Sequence, residues 1–236
     1  MATSRPLGKD YASWCFVEVT AGDPLANVLA GFGVRAFGPV ELENLASAEG
    51  AQRITSHLRQ LRAGGLHILL HCELWRSSLS RARGRNFRTE VRTPTSPWGV
   101  DPLSPDTMAD NVIIEQVLAI ALVVVAELQG AVCISAPCDS YAWSLLDFSE
   151  APALVDYLDV LWLPCCYGDA HRTAMRLRCW GGFRPRPLEQ MSCHHLCLGL
   201  AVALKRAPQR PPPHPKELAS LFLHPGASLS RTHLTP

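Results

Sequence analysis

The sequence predicts an α/β fold: a mostly parallel sheet flanked by helices, with a late antiparallel strand pair. Three observations predict it. Short apolar runs at residues 16–20, 34–40 and 66–70 are separated by helix-like stretches, the strand–helix–strand alternation that builds a parallel sheet through crossover connections. A strongly apolar stretch at 108–128 is followed directly by another strand-like run at 130–135. Two later runs, 159–163 and 175–180, are placed to pair with each other.

Each element follows from local chemistry. Residues 16–20 read as the first strand. Asp23 is a good helix N-cap and Pro24 a good first helical residue, and Gly31 and Gly33 end that helix. The second strand, 34–40, is closed by Glu41 and Glu43. A helix over 54–62 carries Arg and His on its outer side and breaks at Gly64-Gly65. The next strand, 66–70, leaves Cys72 and Glu73 just past its carboxyl end, where open α/β sheets hold ligands and reactive groups. Residues 77–106 differ: Arg81, Arg83, Arg85, Arg88 and Arg92, followed by several prolines, read as a long basic loop. A buried helix spans 108–128, and short helices are expected at 141–148 and 152–158. After Gly181-Gly182 the chain becomes proline-rich, with one short helix at 215–222. The expected organisation is a flexible N-terminus at 1–13, one domain at 14–200 and a proline-rich tail at 201–236.

Composition narrows the function classes. A chain of 236 residues, 47% hydrophobic and 18% charged, can fill a substantial core. A formal net charge of +1 provides no global attraction to nucleic acid or an anionic membrane, so such binding would need a local patch. Nine cysteines, an odd count with several inside apolar runs, argue against a secreted disulfide framework and for a reducing intracellular compartment, cytoplasm or nucleus. Residues 1–10 show no signal-peptide core. The apolar run 117–125 is shorter than a bilayer span, so no membrane partner is expected.

Several short motifs follow one another in a telling order. They are Glu18-Val19-Thr20-Ala21-Gly22-Asp23-Pro24, Glu41, Leu70-His71-Cys72-Glu73-Leu74-Trp75, the stretch 94–99 with Trp98, Ile134-Ser135-Ala136-Pro137, and Cys165-Cys166-Tyr167-Gly168 with Arg172 and Arg176. This series resembles the catalytic domain of DNA cytosine-C5 methyltransferases, and more closely a divergent set of such domains encoded in protist genomes in retroelement-like contexts. The resemblance covers residues 14–222. It implies a Rossmann-like class I methyltransferase fold with S-adenosylmethionine held by Glu18, Thr20, Gly22 and Glu41. It implies Cys72 as the nucleophile that adds to cytosine, with Glu73 beside it. Arg81, Arg83, Arg85, Arg172 and Arg176 would contact DNA, with RNA as the alternative.

The chain departs from that pattern at three places. Pro24 stands at the second glycine position and removes one backbone N–H. His71 replaces the proline before the cysteine. Ser135 stands where the family has the carboxylate that holds cytosine, and electrostatic activation of that kind is a large catalytic term. The resemblance therefore implies weak or absent activity, with a non-catalytic nucleic-acid-binding protein or a vestigial mobile-element product as the alternative.

The residues themselves leave choices open. Cys72 is either a nucleophile, which needs a lowered thiol pKa or a nearby base, or a small buried hydrophobe. Its neighbour His71 would point to the other face of a strand. Glu41 is either a ribose ligand or a solvated strand-end acid, and the arginines at 81–92 either contact phosphate or line a solvated loop. Cys193, His194, His195 and Cys197 lack a second ligand pair at finger-like spacing, so no metal is expected.

Overall fold

The computed structural model describes residues 13–20, 25–31, 33–81, 91–147, 151–162 and 173–183. They form a six-stranded sheet with helices on both faces. In chain order the strands are β1 (Trp14–Thr20), β2 (Arg35–Glu41), β3 (His67–Glu73), β4 (Ala131–Pro137), β5 (Leu158–Trp162) and β6 (Met175–Trp180). The helices are α1 (Leu25–Gly31), α2 (Ala48–Ala63), α3 (Pro105–Leu122) and α4 (Ala142–Asp147). The sheet order is β2-β1-β3-β4-β6-β5. β1, β2, β3 and β4 run parallel, and β6 lies antiparallel between β4 and β5. The predicted alternation and the late antiparallel pair are both present.

Side-chain alternation divides the sheet into two faces. Val17, Val19, Leu70, Cys72, Val132 and Ile134 enter the larger core with α2, α3 and α4. Phe16, Leu69, Ala131, Cys133, Leu177 and Cys179 enter a smaller core with Ala26 and Leu29 of α1. Each wholly buried aliphatic side chain contributes about 1.5–3 kcal/mol, so the larger core carries most of the fold's stability.

Local chemistry sets the helix boundaries. The hydroxyl of Ser47 accepts from Gly50 N at 3.1 Å and starts α2 six residues before the predicted helix. Pro105 opens α3, and a π-helical turn at Val123–Glu127 continues it. The apolar segment Thr107–Glu127 is 21 residues long with mean hydropathy 2.0, long and apolar enough by length and composition to cross a membrane. That is a longer apolar span than the run read from sequence. Here Ile113, Ile114, Val117, Ile120, Ala121 and Val124 pack into the core. Gly181, at φ 73°, closes on Gly130, whose carbonyl oxygen would sit 2.1 Å from an added Cβ.

Two expectations are corrected. The segment 152–158 forms only a short 3-10 turn, Pro152–Leu154, before β5 begins at Leu158. Arg92 is not part of a solvated basic loop. It is 1% exposed and donates to Pro97 O at 2.6 Å, to Asn111 Oδ1 at 2.8 Å and to Thr107 O at 3.3 Å. A guanidinium with five donors can tie a loop to a helix by serving several carbonyl-type acceptors at once, and Arg92 does this between 97 and 111. The predicted helix at 215–222 lies outside the described residues.

Arg178 organises the β4–β6–β5 side of the sheet. Its guanidinium pairs with Asp159 at 2.8 Å and Asp147 at 2.5 Å and lies 3.8 Å from the Tyr157 ring centroid. Asp147 and Asp159 both reach solvent, so the loss lies in the charge-assisted hydrogen bonds of the buried guanidinium and its packing on Tyr157. Arg178→Ala is therefore expected to cost about 1.5–3 kcal/mol, read as a lower midpoint in urea unfolding.

Candidate functional site

The sheet grows from β1 to β2 on one side, then crosses to β3 on the other. At such a switch point the loops past neighbouring strands diverge and leave a crevice at their carboxyl ends. Glu18 and Thr20 approach it on β1, Glu41 on β2, His71 and Glu73 on β3, and Ser135 on β4.

Glu18 is the hub. Its carboxylate accepts from Leu25 N at 3.0 Å and from Ala26 N at 2.6 Å. These are the first amides of α1, which have no partner within the helix. Glu18, from seven residues upstream, therefore caps α1, and its negative charge suits the positive end of the helix. The same carboxylate lies 3.6 Å from His71 Nδ1, and His71 Nε2 lies 3.0 Å from Ser135 Oγ. The result is a buried polar row across β1, β3 and β4. One step nearer the strand ends, the Thr20 hydroxyl donates to Glu73 at 2.6 Å. The register pairs Glu18 with His71 and Glu73 with Ser135, which puts all of these groups on one face.

Cys72 faces the other way. β3 does not end at residue 70; its pairing continues through Val19↔Cys72 and Cys72↔Ile134. This corrects its placement past the strand end. The thiol is 1% exposed in the larger core, and burial, reinforced by the negative charge of Glu18, pushes its pKa up to about 12. A thiol nucleophile acts as thiolate, and this environment opposes thiolate. The sheet separates Cys72 from His71 and Glu73, so the structure does not bring the cysteine and its neighbours together as catalytic partners.

Of the residues expected to hold a cofactor, Glu18 and Thr20 are buried and Glu41 is open. Glu41 is exposed at the end of β2, opposite Thr20 in the register. Among the described residues it makes no ion pair, whereas Glu43 is bound by Arg76, which also holds Asp110 at 2.7 Å. Glu41 is thus the strand-end acid available to a ligand. Gly22 lies outside the described residues.

The arginines divide. Arg81 is exposed and sits 5.1 Å from the Tyr141 ring centroid. Arg176 turns inward, 5.0 Å from the Trp143 centroid and 3.5 Å from Asp159. Asp159 and the Trp143 ring are thus its neighbours among the described residues. Arg83, Arg85, Arg88 and Arg172 lie outside the described residues, as do Cys193, His194, His195 and Cys197. Among the described residues, no group of three or more His, Cys, Asp or Glu side chains is placed to hold a metal ion.

Sequence reasoning missed two features. The role of Ser135 as the hydrogen-bond partner of His71 depends on strand order, which no local pattern carries. Asp110, which joins Arg76 to Ser78, had one signal, an acid in the first turns of an otherwise apolar helix.

Comparison with known proteins provides no identification: no family model matches the sequence, and no curated protein and no solved structure matches the chain.

The raised thiol pKa has a pH signature. Cys72 has a folded value of about 12 against an ordinary 9.0. In the unfolded chain it ionises first, so its contribution is full below pH 9.0 and is lost as pH rises toward 12. Stability should fall over that window by up to about 4 kcal/mol from this group. Denaturant titrations across it should show a shallower fall in Cys72→Ala. Native Cys72 should also resist iodoacetamide at neutral pH and react once the chain is unfolded.

Proposed function

We propose that this chain is an S-adenosylmethionine-dependent methyltransferase-like protein of DNA cytosine-C5 type, on a Rossmann-like class I fold, with weak or absent methyl-transfer activity. The observation that carries the reading is the pairing of a suitable sheet with a sequestered thiol. The parallel strands with one reversed strand before the edge fit the class that the sequence resembles, while Cys72 lies in the core behind β3.

The described residues fit the ribose end of the cofactor. A carboxylate at the end of the second strand can accept both ribose hydroxyls, and exposed Glu41 stands there beside Thr20. Glu18 stays engaged with the start of α1 and keeps the backbone of the crevice in place. When bound, S-adenosylmethionine would supply an electrophilic methyl group. The five described cysteines carry free thiols, in keeping with a reducing intracellular location.

A second reading, a non-catalytic nucleic-acid-binding descendant, is favoured by the exposed Arg81 beside Tyr141. It shares the fold and dispenses with methyl transfer.

Calorimetric titration with S-adenosylmethionine tests the first reading. Micromolar binding is expected, weakened about tenfold, or about 1.4 kcal/mol, in Glu41→Ala and unchanged in Cys72→Ser. An absence of heat at millimolar cofactor would overturn it.

A further inference from the structure

Two thiols face each other where the antiparallel part of the sheet begins. Cys133 on β4 and Cys179 on β6 are directly opposite in the register, although 46 positions apart in the chain. Both are fully buried, and the Sγ of Cys133 donates to that of Cys179 at 3.4 Å. Opposed residues of antiparallel strands have Cα atoms about 4.5 or 5.5 Å apart, and disulfides accept about 4.4–6.8 Å. The backbone therefore already stands at bridging distance. An S–S bond is about 2.05 Å long, so the two sulfurs need to approach by roughly 1.4 Å, within reach of small side-chain rotations.

Strand parity singles out this pair. Cys133 and Cys179 enter the smaller core, whereas Cys15 and Cys72 enter the larger core on the opposite face. Cys138 follows the end of β4 and is partly exposed. Among the described cysteines, Cys133 and Cys179 are thus the two that share one face of the sheet. Their place in the strand order gives a bond between them a consequence. β5 joins the sheet through β6, and β6 joins the parallel strands through β4. A covalent link at the β4–β6 step ties the last two strands to the parallel block.

We propose that Cys133 and Cys179 form an oxidative modification site, at which hydrogen peroxide converts the two thiols to a disulfide across β4 and β6. One sulfur, as thiolate, attacks a peroxide oxygen; the O–O bond breaks, the sulfur becomes a sulfenic acid and the first water leaves. The second sulfur then displaces that hydroxyl, forms the S–S bond and gives up its proton, releasing the second water. Two thiols and one peroxide thus yield one disulfide and two waters, with two electrons passing from sulfur to oxygen. An oxidant of this size suits thiols with no exposed surface. Burial, reinforced by the contact with Cys179, holds the Cys133 thiol well above its ordinary pKa. The first step is therefore slow, and the pair stays reduced unless peroxide is sustained. The inference is independent of cofactor and nucleic-acid binding.

The test uses the full chain, reduced and then freed of reductant. It is held in millimolar hydrogen peroxide, quenched in acid, alkylated in denaturant and digested without reduction. Mass spectrometry should find the peptides of Cys133 and Cys179 joined, two hydrogen masses below their sum, and this link should outweigh every other pairing of Cys133. The same oxidation of the chain unfolded in urea should lose that preference, because Cys138 is then much nearer along the chain and closes a shorter loop. Cys179→Ser should leave Cys133 without its dominant partner. Survival of both thiols in the native chain, their conversion to separate sulfinic acids, or the same mixture of pairings from native and unfolded chain would each overturn the proposal. The comparison of native with unfolded chain needs no variant, so it stands even if Cys179→Ser misfolds.

Discussion

The carboxylate of Glu18 is the interaction on which the crevice depends. It is 1% exposed, yet it does three things at once: it caps two amides of α1, faces His71 on the adjacent strand and sets the negative potential felt by Cys72 behind the sheet. A buried carboxylate is costly unless its oxygens are satisfied, and the two backbone amides of α1 satisfy them. This arrangement fixes where α1 begins relative to β1. The His71–Ser135 contact extends the same polar row to β4 and locks the neighbouring strand in register.

The two faces of the sheet have divided the work. On one face lie Glu18, Thr20, His71, Glu73 and Ser135, which are linked in cross-strand pairs near the carboxyl ends. On the other, Cys72 sits between Leu70 and Leu74 in the larger core. A strand has a side-chain period of two, so one residue decides between face and core. The same parity that makes His71 available to Ser135 puts the adjacent thiol out of reach. The chemistry of a cytosine-C5 nucleophile and the packing of this β3 are therefore in conflict, and in this structure packing prevails.

Much of the fold was legible in the sequence because it rests on local pattern. The run 175–180 matches β6 residue for residue, and β1 differs from the expected strand only by two residues at its start. β3 was read short because His71 and Glu73 are polar and broke the apolar run, although both continue the pairing. Those polar residues belong to the cross-strand polar row, so the failure of the pattern marked where that row begins. Partners were not legible. That Glu18 would cap α1, that Ser135 would meet His71, and that Arg92 would bind Asn111 follow only from the three-dimensional order of the elements. The basic stretch shows the limit of composition as a guide: Arg81 and Arg92 look alike in sequence, yet one is exposed beside Tyr141 and the other is buried in a loop clasp.

The central claim, that Glu18 holds the crevice together through α1, is tested most directly by native-state hydrogen exchange on Glu18→Ala. Loss of a cap acts on the first helical turn by about 1 kcal/mol or more. The account predicts that the amides of Leu25 and Ala26 lose protection severalfold while those of β4 and β6 keep theirs. Unchanged protection at Leu25 and Ala26, or an equal loss across the whole sheet, would contradict it.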